Sequence, residues 1–362
     1  MKILKNITVF TMVMLLSVST VLEAREKNIS NFSSSASNLV DSTGTFDGNK
    51  IYADVANNGL FLDYHVSGDS ALEWPKGTGV HSIFQSALWM GATVNGSIRT
   101  IVGDYTQDMG PGPWGGDPLA AVHRIYKVEK SMLASPLDFA DFQEWPVEFG
   151  APWVDVDGDG VYTPLPGGTD HPEFLGDQVL WFVSNDGDPA YKLNFGTSPM
   201  NVEIQTTMFG FDRPDVFGDM VFLKQLVINK GSDDLVDTYM GLWSDPDLGY
   251  AGDDFVGCDV ALGMGYVWND GDDSQYSTLD IGTPAAGYDF FQGPMVPCED
   301  GDSEEVCPTE GAKMFGTRHP GMKNLKMSSF AFYINGDATY TDPSDETAVS
   351  YTHLTLPTRF SV

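Results

Sequence analysis

Short apolar runs separated by turn-forming residues set the pattern of the chain from residue 49 onward. The runs are rich in aromatic and β-branched side chains and are bounded by Gly, Pro, Asp and Asn. Such runs are typical of β-strands, because these side chains pack well on a pleated, half-buried surface. The strand candidates are residues 59–66, 80–94, 178–184, 202–211, 220–229 and 328–334. The pattern therefore predicts an all-β protein.

Helical signals are few. Residues 136–144 fit one or two helical turns, and residues 82–90 fit either a helix or a strand. The 39 Gly and 21 Pro residues interrupt the chain often. They favour an antiparallel β-sandwich, one large or two packed, with long acidic Gly/Pro-rich loops. We expect a loop-rich β region over 49–195 and a β-sandwich region over 196–348.

The first residues have the composition of a secretory signal peptide. Lys2 and Lys5 precede an apolar run, and Ala24 offers a small residue for cleavage. We therefore expect residues 1–24 to be removed on export. Residues 25–48 are rich in Ser and Asn and predict a flexible lead-in.

The last residues differ from the rest of the chain. Residues 349–362 lose the acidic, Gly-rich character and resemble translated adapter sequence, so we expect the natural chain to continue past residue 348 in another sequence. No apolar stretch after the predicted signal peptide approaches the roughly 20 residues that span a bilayer. We therefore predict no membrane span, and a protein that is secreted or held at the cell surface.

The net charge of −32 comes from 51 Asp plus Glu against 19 Lys plus Arg. This balance argues against nucleic acid and anionic membrane surfaces, because both attract basic patches. Metal cations are better partners for such a chain. The alternative is that the charge only keeps a secreted protein soluble.

The three cysteines lie in the last third of the chain. Cys298 and Cys307 enclose a short acidic segment and are predicted to form a disulfide, as an exported protein permits. Cys258 is then left over. Because no basic residue stands beside it, we expect a small buried hydrophobe rather than a reactive thiol.

Alternating carboxylates form the strongest chemical signal. Asp155, Asp157 and Asp159 occupy every second position, and Gly160 follows at once. This spacing is typical of Ca²⁺ loops, since a hard cation is bound by several oxygens from a tight turn. An EF-hand is excluded, because Pro166 stands where that loop needs a bidentate Glu. The alternative is a solvated turn without a metal.

Further oxygens are needed to complete a Ca²⁺ site of six or seven ligands. The backbone carbonyl of Val161 is one candidate. Asp170 or Asp177 could close the site from downstream. Either of these two acids could instead belong to a solvated turn.

A second acidic segment covers residues 243–259. Its candidate ligands for one cation are Asp245, Asp247, Asp253, Asp254 and Asp259. Carboxylates in loops also accept hydrogen bonds from backbone amides, which is the competing interpretation. Residues 269–273 follow as a third acidic stretch, and their Asn-Asp-Gly sequence alone predicts a turn.

Catalytic motifs are missing. The sequence contains no G-x-S-x-G elbow, no H-E-x-x-H, no P-loop and no dinucleotide fingerprint. Glu144, Glu148 and Glu173 offer acids for glycoside hydrolysis, but no spacing selects a pair. Trp114, in a Gly- and Pro-rich stretch, is the best candidate for a platform that stacks on sugar rings.

Four long runs resemble a group of large secreted Bacteroidota-type proteins that end in a sorting domain for type IX secretion. The runs are EWPKGTGVHSIFQSALWMGA at 73–92, GPGPWGGDP at 110–118, APWVDVDGDGVYTPLPGGTDHP with GDQVLWFVSND within 151–186, and LWSDPDLGYAGDDFVGCD at 242–259. The resemblance implies secretion and β-rich architecture. Similar proteins carry an acid where this chain has Thr163. The sorting domain is absent here, consistent with the truncation expected at residue 348.

The favoured hypothesis is a secreted, non-enzymatic β protein whose acidic loops bind structural Ca²⁺. One alternative is an extracellular protein that binds or degrades polysaccharide. Another is an adhesin or surface-layer component.

Overall fold

The computed structural model describes residues 3–11, 43–165, 170–314, 316–334, 339–341 and 343–346. The first strands are β1 (Ile3–Thr11), β2 (Thr43–Phe46), β3 (Tyr52–Ala56), β4 (Leu60–Leu62), β5 (Leu72–Glu73), β6 (His81–Ile83), β7 (Gln85–Val94), β8 (Ser97–Ile101), β9 (Gly110–Pro111), β10 (Tyr126–Glu129), β11 (Trp153–Val154) and β12 (His171–Pro172). The later ones are β13 (Gln178–Asn185), β14 (Val202–Gly210), β15 (Val221–Asn229), β16 (Val236–Asp245), β17 (Asp254–Asp259), β18 (Met264–Asn269), β19 (Ala286–Gln292), β20 (Met295–Pro297), β21 (Ala312–Met314), β22 (Thr317–His319) and β23 (Met322–Asn324).

These strands confirm the prediction of an all-β protein. Within the described residues the α-helix is one short element, α1 (Ala140–Gln143), which follows a 3-10 turn at Pro136–Asp138. Both fall inside the predicted helical stretch 136–144. The ambiguous stretch 82–90 is extended and belongs to β6 and β7. No helix in the described part of the chain is long and apolar enough to cross a membrane.

The largest sheet has nine strands in the order β10-β13-β14-β15-β1-β19-β18-β17, with β9 added beside β13. β13 and β14 pair antiparallel from Gln178 with Gly210 to Asn185 with Glu203. Every residue of β13 is buried, which explains its almost continuous apolar sequence. The predicted division at 195/196 falls between these two paired strands.

Two four-stranded sheets lie against the same core. One has the order β16-β7-β4 with β8 beside β7, and the other has the order β2-β3-β5-β6. A single hydrophobic cluster joins them to the nine-stranded sheet, with members such as Leu88 and Val55 from the small sheets and Leu180 and Leu223 from the large one. A shared core is what sheet-on-sheet packing produces. The sandwich arrangement itself stays a prediction.

A second cluster covers the other face of the large sheet and supports the loop that carries the acidic motif. Trp181 and Phe209 of the sheet contribute to it, together with Phe142 of α1 and Trp145. Trp145 is 2% exposed and donates its ring N–H to the Pro152 carbonyl at 3.0 Å. This hydrogen bond connects the second core to the residue just before β11.

Five of the six predicted strand segments contain strands, and residues 328–334 do not. In the large sheet, β1 takes the position between β15 and β19. The predicted lead-in 25–48 is also too long, because Phe46 of β2 is fully buried in the main core. Residues 1–2 and 12–24 of the predicted signal peptide, residues 25–42 and residues 349–362 lie outside the described residues.

Candidate metal centre

The acidic motif is the loop of a two-stranded ribbon. β11 and β12 pair antiparallel, with Trp153 opposite Pro172 and Val154 opposite His171. Asp155 therefore follows the last paired residue of one strand, and Asp170 precedes the first paired residue of the other. This register explains why two acids separated by fourteen intervening residues stand next to each other at the base of the loop.

Asp155 organises the turn that follows it. Its Oδ1 accepts a hydrogen bond from the Gly158 N–H at 2.6 Å, and its Oδ2 accepts one from the Gly160 N–H at 2.9 Å. Both glycines have left-handed backbones, with φ of 79° and 76°. A side chain at either position would strain the turn, because left-handed φ disfavours residues with a Cβ.

Asp157 and Asp159 repeat a simpler local pattern. Asp157 Oδ1 accepts from the Asp159 N–H at 3.1 Å, and Asp159 Oδ1 accepts from the Val161 N–H at 2.7 Å. In each case the carboxylate accepts from the amide two residues ahead, as Asp does in turns. Among the residues that the structure describes, no hydrogen bond reaches the Oδ2 atom of either.

Asp170 is the buried member of the group, at 1% exposure. Its Oδ2 accepts from the Thr163 N–H at 2.8 Å and from Thr163 Oγ1 at 3.2 Å, and its Oδ1 accepts from the Val156 N–H at 2.9 Å. The Thr163 N–H is the main cause that lowers the pKa of Asp170, although burial opposes it. Asp170 is therefore held ionised within the loop.

Aromatic side chains attach the loop to the second core. Tyr162 packs edge-on against Trp153, with ring centroids 5.6 Å apart, and donates its hydroxyl to the Phe142 carbonyl at 2.6 Å. Burial, and to a smaller extent the charge of Asp170, raise the pKa of Tyr162 far above its usual value, so it stays a neutral donor. The end of the loop is thereby fixed to α1.

Four carboxylates converge in this loop. One oxygen of each of Asp155, Asp157, Asp159 and Asp170 lies within 4.8 Å of the others. Two like charges about 4 Å apart repel by about 1 kcal/mol even in water, and by more where water is excluded. A divalent cation among the four oxygens would replace this repulsion with attraction, and carboxylate oxygens are the ligands that Ca²⁺ prefers.

No family model, curated protein or solved structure matches this chain. The resemblance to large secreted proteins therefore stays an expectation from the sequence. Of its two implications, the β-rich architecture is observed and secretion stays a prediction.

The other two predicted ligands of this loop are Asp177 and the carbonyl of Val161. Asp177 lies beyond β12, where its Oδ1 is 3.4 Å from Lys130 Nζ and its Oδ2 accepts from the Asp212 N–H at 3.0 Å. It is therefore not among the converging carboxylates. Of the two downstream acids, Asp170 is the one that lies beside Asp155, Asp157 and Asp159. The side chain of Val161 is exposed. Its carbonyl stays a predicted ligand.

The second acidic segment does not form one site. Asp254 and Asp259 begin and end β17, and five steps of about 3.3 Å separate them by roughly 16 Å. Asp259 Oδ1 caps the following turn by accepting from the Ala261 and Leu262 N–H groups, each at 3.0 Å. The prediction that all five carboxylates converge on one cation is therefore wrong for Asp259.

Asp245 and Asp247 also have partners or neighbours outside the 155–170 loop. Asp245 ends β16, as expected for an acid that follows a strand, and its Oδ2 accepts from the Tyr105 hydroxyl at 2.8 Å. Asp247 lies close enough to Asp254 for its charge to raise the pKa of that residue. Neither belongs to the converging group at 155–170.

Asp254 is a buried acid that organises its own loop. It is fully buried, its Oδ2 accepts from the Leu248 N–H at 3.0 Å, and its Oδ1 accepts from Asn269 Nδ2 at 3.1 Å. Burial, with smaller contributions from the charges of Asp247 and Asp253, raises the pKa of Asp254 to about 8.

Asp273 connects the third acidic stretch, 269–273, to the second, 243–259, through a hydrogen bond from the Tyr250 N–H. This fully buried carboxylate accepts from the backbone N–H groups of Tyr250, Gln275 and Tyr276 at 2.7 to 2.8 Å. The sequence predicts a turn here, and residues 269–272 do lead into one. The long-range bond to Tyr250 leaves no local signal in the sequence.

The remaining residues singled out in the sequence are the three cysteines and Trp114. Cys298 and Cys307 form a disulfide with Cα atoms 5.8 Å apart, and Cys258 is a free, half-buried thiol in β17. Trp114 is 43% exposed, and its ring N–H donates to Asn201 Oδ1 at 3.2 Å. The edge of its ring lies beside Gly187, where an added Cβ would be 2.6 Å from Cδ1 of the indole.

Sequence reasoning missed two features of the site. Thr163 positions Asp170 with two hydrogen bonds. Tyr162 anchors the loop to a residue twenty positions earlier. The two contacts join residues that are seven and twenty positions apart, and local sequence patterns do not predict them.

Proposed function

We propose that the chain is a secreted or cell-surface β protein in which the 155–170 loop binds one structural Ca²⁺. The observation that supports this proposal best is the convergence of four carboxylates, three of them exposed and one buried, on a common point. The loop is closed by the β11/β12 ribbon at its base. A cation at its centre would couple a solvent-facing turn to the second hydrophobic core.

The ligand set favours Ca²⁺ over Mg²⁺. Ca²⁺ accepts six to eight oxygens in flexible geometry, whereas Mg²⁺ demands a near-octahedral set and keeps several waters. Four carboxylates leave two or more positions for a backbone carbonyl such as that of Val161, and for water. Secretion fits this role, because extracellular Ca²⁺ is plentiful enough to fill sites of modest affinity.

Metal binding to purified protein tests the proposal. After chelator treatment and dialysis, we expect calorimetric titration with CaCl₂ to show one equivalent bound at this loop, and MgCl₂ to bind more weakly. Asp157→Asn keeps the acceptor for the Asp159 N–H but removes one charge. We expect it to weaken Ca²⁺ binding about tenfold or more, which corresponds to about 1.4 kcal/mol.

The matched control is Asp177→Asn, which makes the same chemical change at a predicted ligand that lies outside the cluster. We expect it to bind Ca²⁺ like the wild type. Equal affinity of the wild type and Asp157→Asn would contradict the proposal, as would the absence of bound Ca²⁺.

Polysaccharide binding is a second candidate, favoured by one observation. The Trp114 indole is 43% exposed, and its Cδ1 and Nε1 atoms lie beside Gly187. Sugar rings stack on exposed aromatic faces. Retention on insoluble polysaccharide that Trp114→Ala abolishes would support this candidate.

A further inference from the structure

One strand position in the nine-stranded sheet is filled by residues of the predicted signal peptide. β1 lies between β15 and β19 and pairs antiparallel with both, for example through Thr8 with Lys224 and with Gln292. Removal of residues 1–24 would leave rows of unpaired backbone N–H and C=O groups on β15 and β19. Such groups are costly when they are not paired. We call this position the β15/β19 slot.

The chain returns to this slot after β23. β20 pairs with β23 through Met295 and Asn324, and the Leu325 N–H donates to the Pro294 carbonyl at 2.8 Å. A Cβ built on Gly293 would overlap the Leu325 carbonyl, so the two segments run side by side. β1 also contacts β20, which places the end of the slot close by. The residues after 325 therefore start next to the slot, antiparallel to the end of β19.

Residues 326–334 have the sequence of a strand without being one. Their aromatic and apolar composition predicts a strand, yet none is formed. Phe330 and Phe332 are 41% and 40% exposed. In the observed arrangement this segment lies beside β18, where a Cβ on Gly265 would be 3.1 Å from the Phe330 ring.

The slot offers this segment a buried position. Continuing the register from Asn324 opposite Met295 brings residue 327 opposite Gln292, which is the place of Thr8. The register of β1 with β19 shifts between Thr8 and Val9, which places Thr11 opposite Tyr288. With the same shift after residue 327, Phe330 takes the place of Thr11 opposite Tyr288. Tyr288 belongs to the main core. Phe330, Phe332 and residue 334 would then face that core, since alternate residues share a face.

We propose that the β15/β19 slot is a strand-acceptor site and that residues 326–334 occupy it in the secreted chain. The inference rests on the proposed secretion, because it requires removal of residues 1–24. The leader and the segment 326–334 compete for one place in the sheet. Export then completes the sheet with a strand from the same chain.

Two engineered cysteine pairs report the two arrangements in a Cys258→Ser background. Met327→Cys with Lys224→Cys joins residues that would be opposite each other across the slot. Met327→Cys with Gly263→Cys reports the observed arrangement, in which a Cβ on Gly263 lies 3.7 Å from Met327 Cβ. That distance suits a disulfide. Each pair is made in the exported chain and in a chain expressed without export, so that the leader is retained.

In the exported chain we expect the Lys224/Met327 pair to form an intramolecular disulfide in most molecules and the Gly263/Met327 pair to stay reduced. With the leader retained we expect the reverse. Disulfide formation by the Gly263/Met327 pair alone in the exported chain would overturn the inference. An intermolecular Lys224/Met327 disulfide would also overturn it, because the occupant would then be a second copy.

Intact mass separates failure of this inference from failure of the proposed secretion. An exported chain that keeps residues 1–24 contradicts the proposed secretion and the slot inference. A chain that has lost residues 1–24 but keeps the observed arrangement of 326–334 contradicts only the slot inference. Hydrogen exchange is also measured on chains with no added cysteine, so that the result does not depend on whether the cysteine variants fold. We expect amides at 327–334 to exchange at least about a hundredfold more slowly after processing. Unchanged fast exchange in the processed chain would overturn the inference.

Discussion

Individual carboxylates in this protein differ in the charge they carry at neutral pH. The amides around Asp170 lower its pKa, whereas burial raises the pKa of Asp254 to about 8. Both residues are buried and both organise loops. The first is suited to a cation, and the second acts as a neutral hydrogen-bonding group over much of the physiological range.

The raised pKa of Asp254 predicts a pH dependence of stability. The folded protein holds a proton at this carboxyl up to about pH 8, whereas the unfolded chain loses it near the ordinary value of 3.8. Folding stability should therefore fall as pH rises from about 4 to about 8, by at most about 1.4 kcal/mol per pH unit from this group.

Asp254→Asn should flatten this slope, because an amide does not titrate and still offers one acceptor to the Leu248 N–H. Urea unfolding at pH 5, 6.5 and 8 with chelator present measures the slope. The exposed substitution Asp138→Asn is the control and should leave it unchanged. A slope that is the same in Asp254→Asn and in the wild type would count against the buried, protonated state.

At the scale of elements, the β11/β12 ribbon decides which acids meet. The alternation at 155, 157 and 159 is visible in the sequence, and so is the loop that it predicts. The sequence does not show that Asp170 rather than Asp177 joins the other three carboxylates, because this depends on the pairing of Val154 with His171. Strand candidates such as 202–211 were predictable from local composition, whereas their partners in the sheets were not.

The left-handed turn at Gly160 gives a prediction for this element. Nothing lies within 4 Å of a Cβ built there, so Gly160→Ala meets no clash and suffers only from its φ of 76°. That backbone costs a residue with a Cβ about 1–2 kcal/mol. We expect Ca²⁺ affinity to fall about 5- to 30-fold.

Gly271→Ala is the matched control for this substitution, because its site is equally open and its backbone is not left-handed. Calorimetric Ca²⁺ titration of the two variants measures the difference. Equal losses of affinity in both would show that the turn at Gly160 does not hold the ligands.

At the scale of the whole molecule, a buried charge network connects distant parts of the chain. Lys192 Nζ is 2.7 Å from Asp108 Oδ2 and 4.0 Å from Asp186 Oδ2, and all three side chains are at most 2% exposed. Burial raises the pKa of Asp108 to about 6, and the charge of Lys192 opposes this rise. The partners stand 84 positions apart in sequence, so no local pattern predicts them.

Removal of the network's cation should be costly. Lys192→Met leaves two buried carboxylates without their counter-charge, and we expect a loss of about 3–5 kcal/mol in unfolding free energy. Lys50→Met is the control, because its pair with Asp219 is 41% and 28% exposed and should contribute about 1 kcal/mol or less. Denaturant unfolding of both variants tests this, and equal losses would contradict the account.

The midpoint of thermal unfolding, with Ca²⁺ or with chelator, tests the proposed structural calcium site most directly. At about 100 times its dissociation constant, one bound ion adds about 2.7 kcal/mol, which should raise the midpoint by about 4 °C for a chain of this size. Asp157→Asn should respond less to Ca²⁺ and should melt no lower than the wild type in chelator, because one repulsive charge is gone. A wild-type midpoint that Ca²⁺ leaves unchanged, with no ion in elemental analysis, would contradict the account.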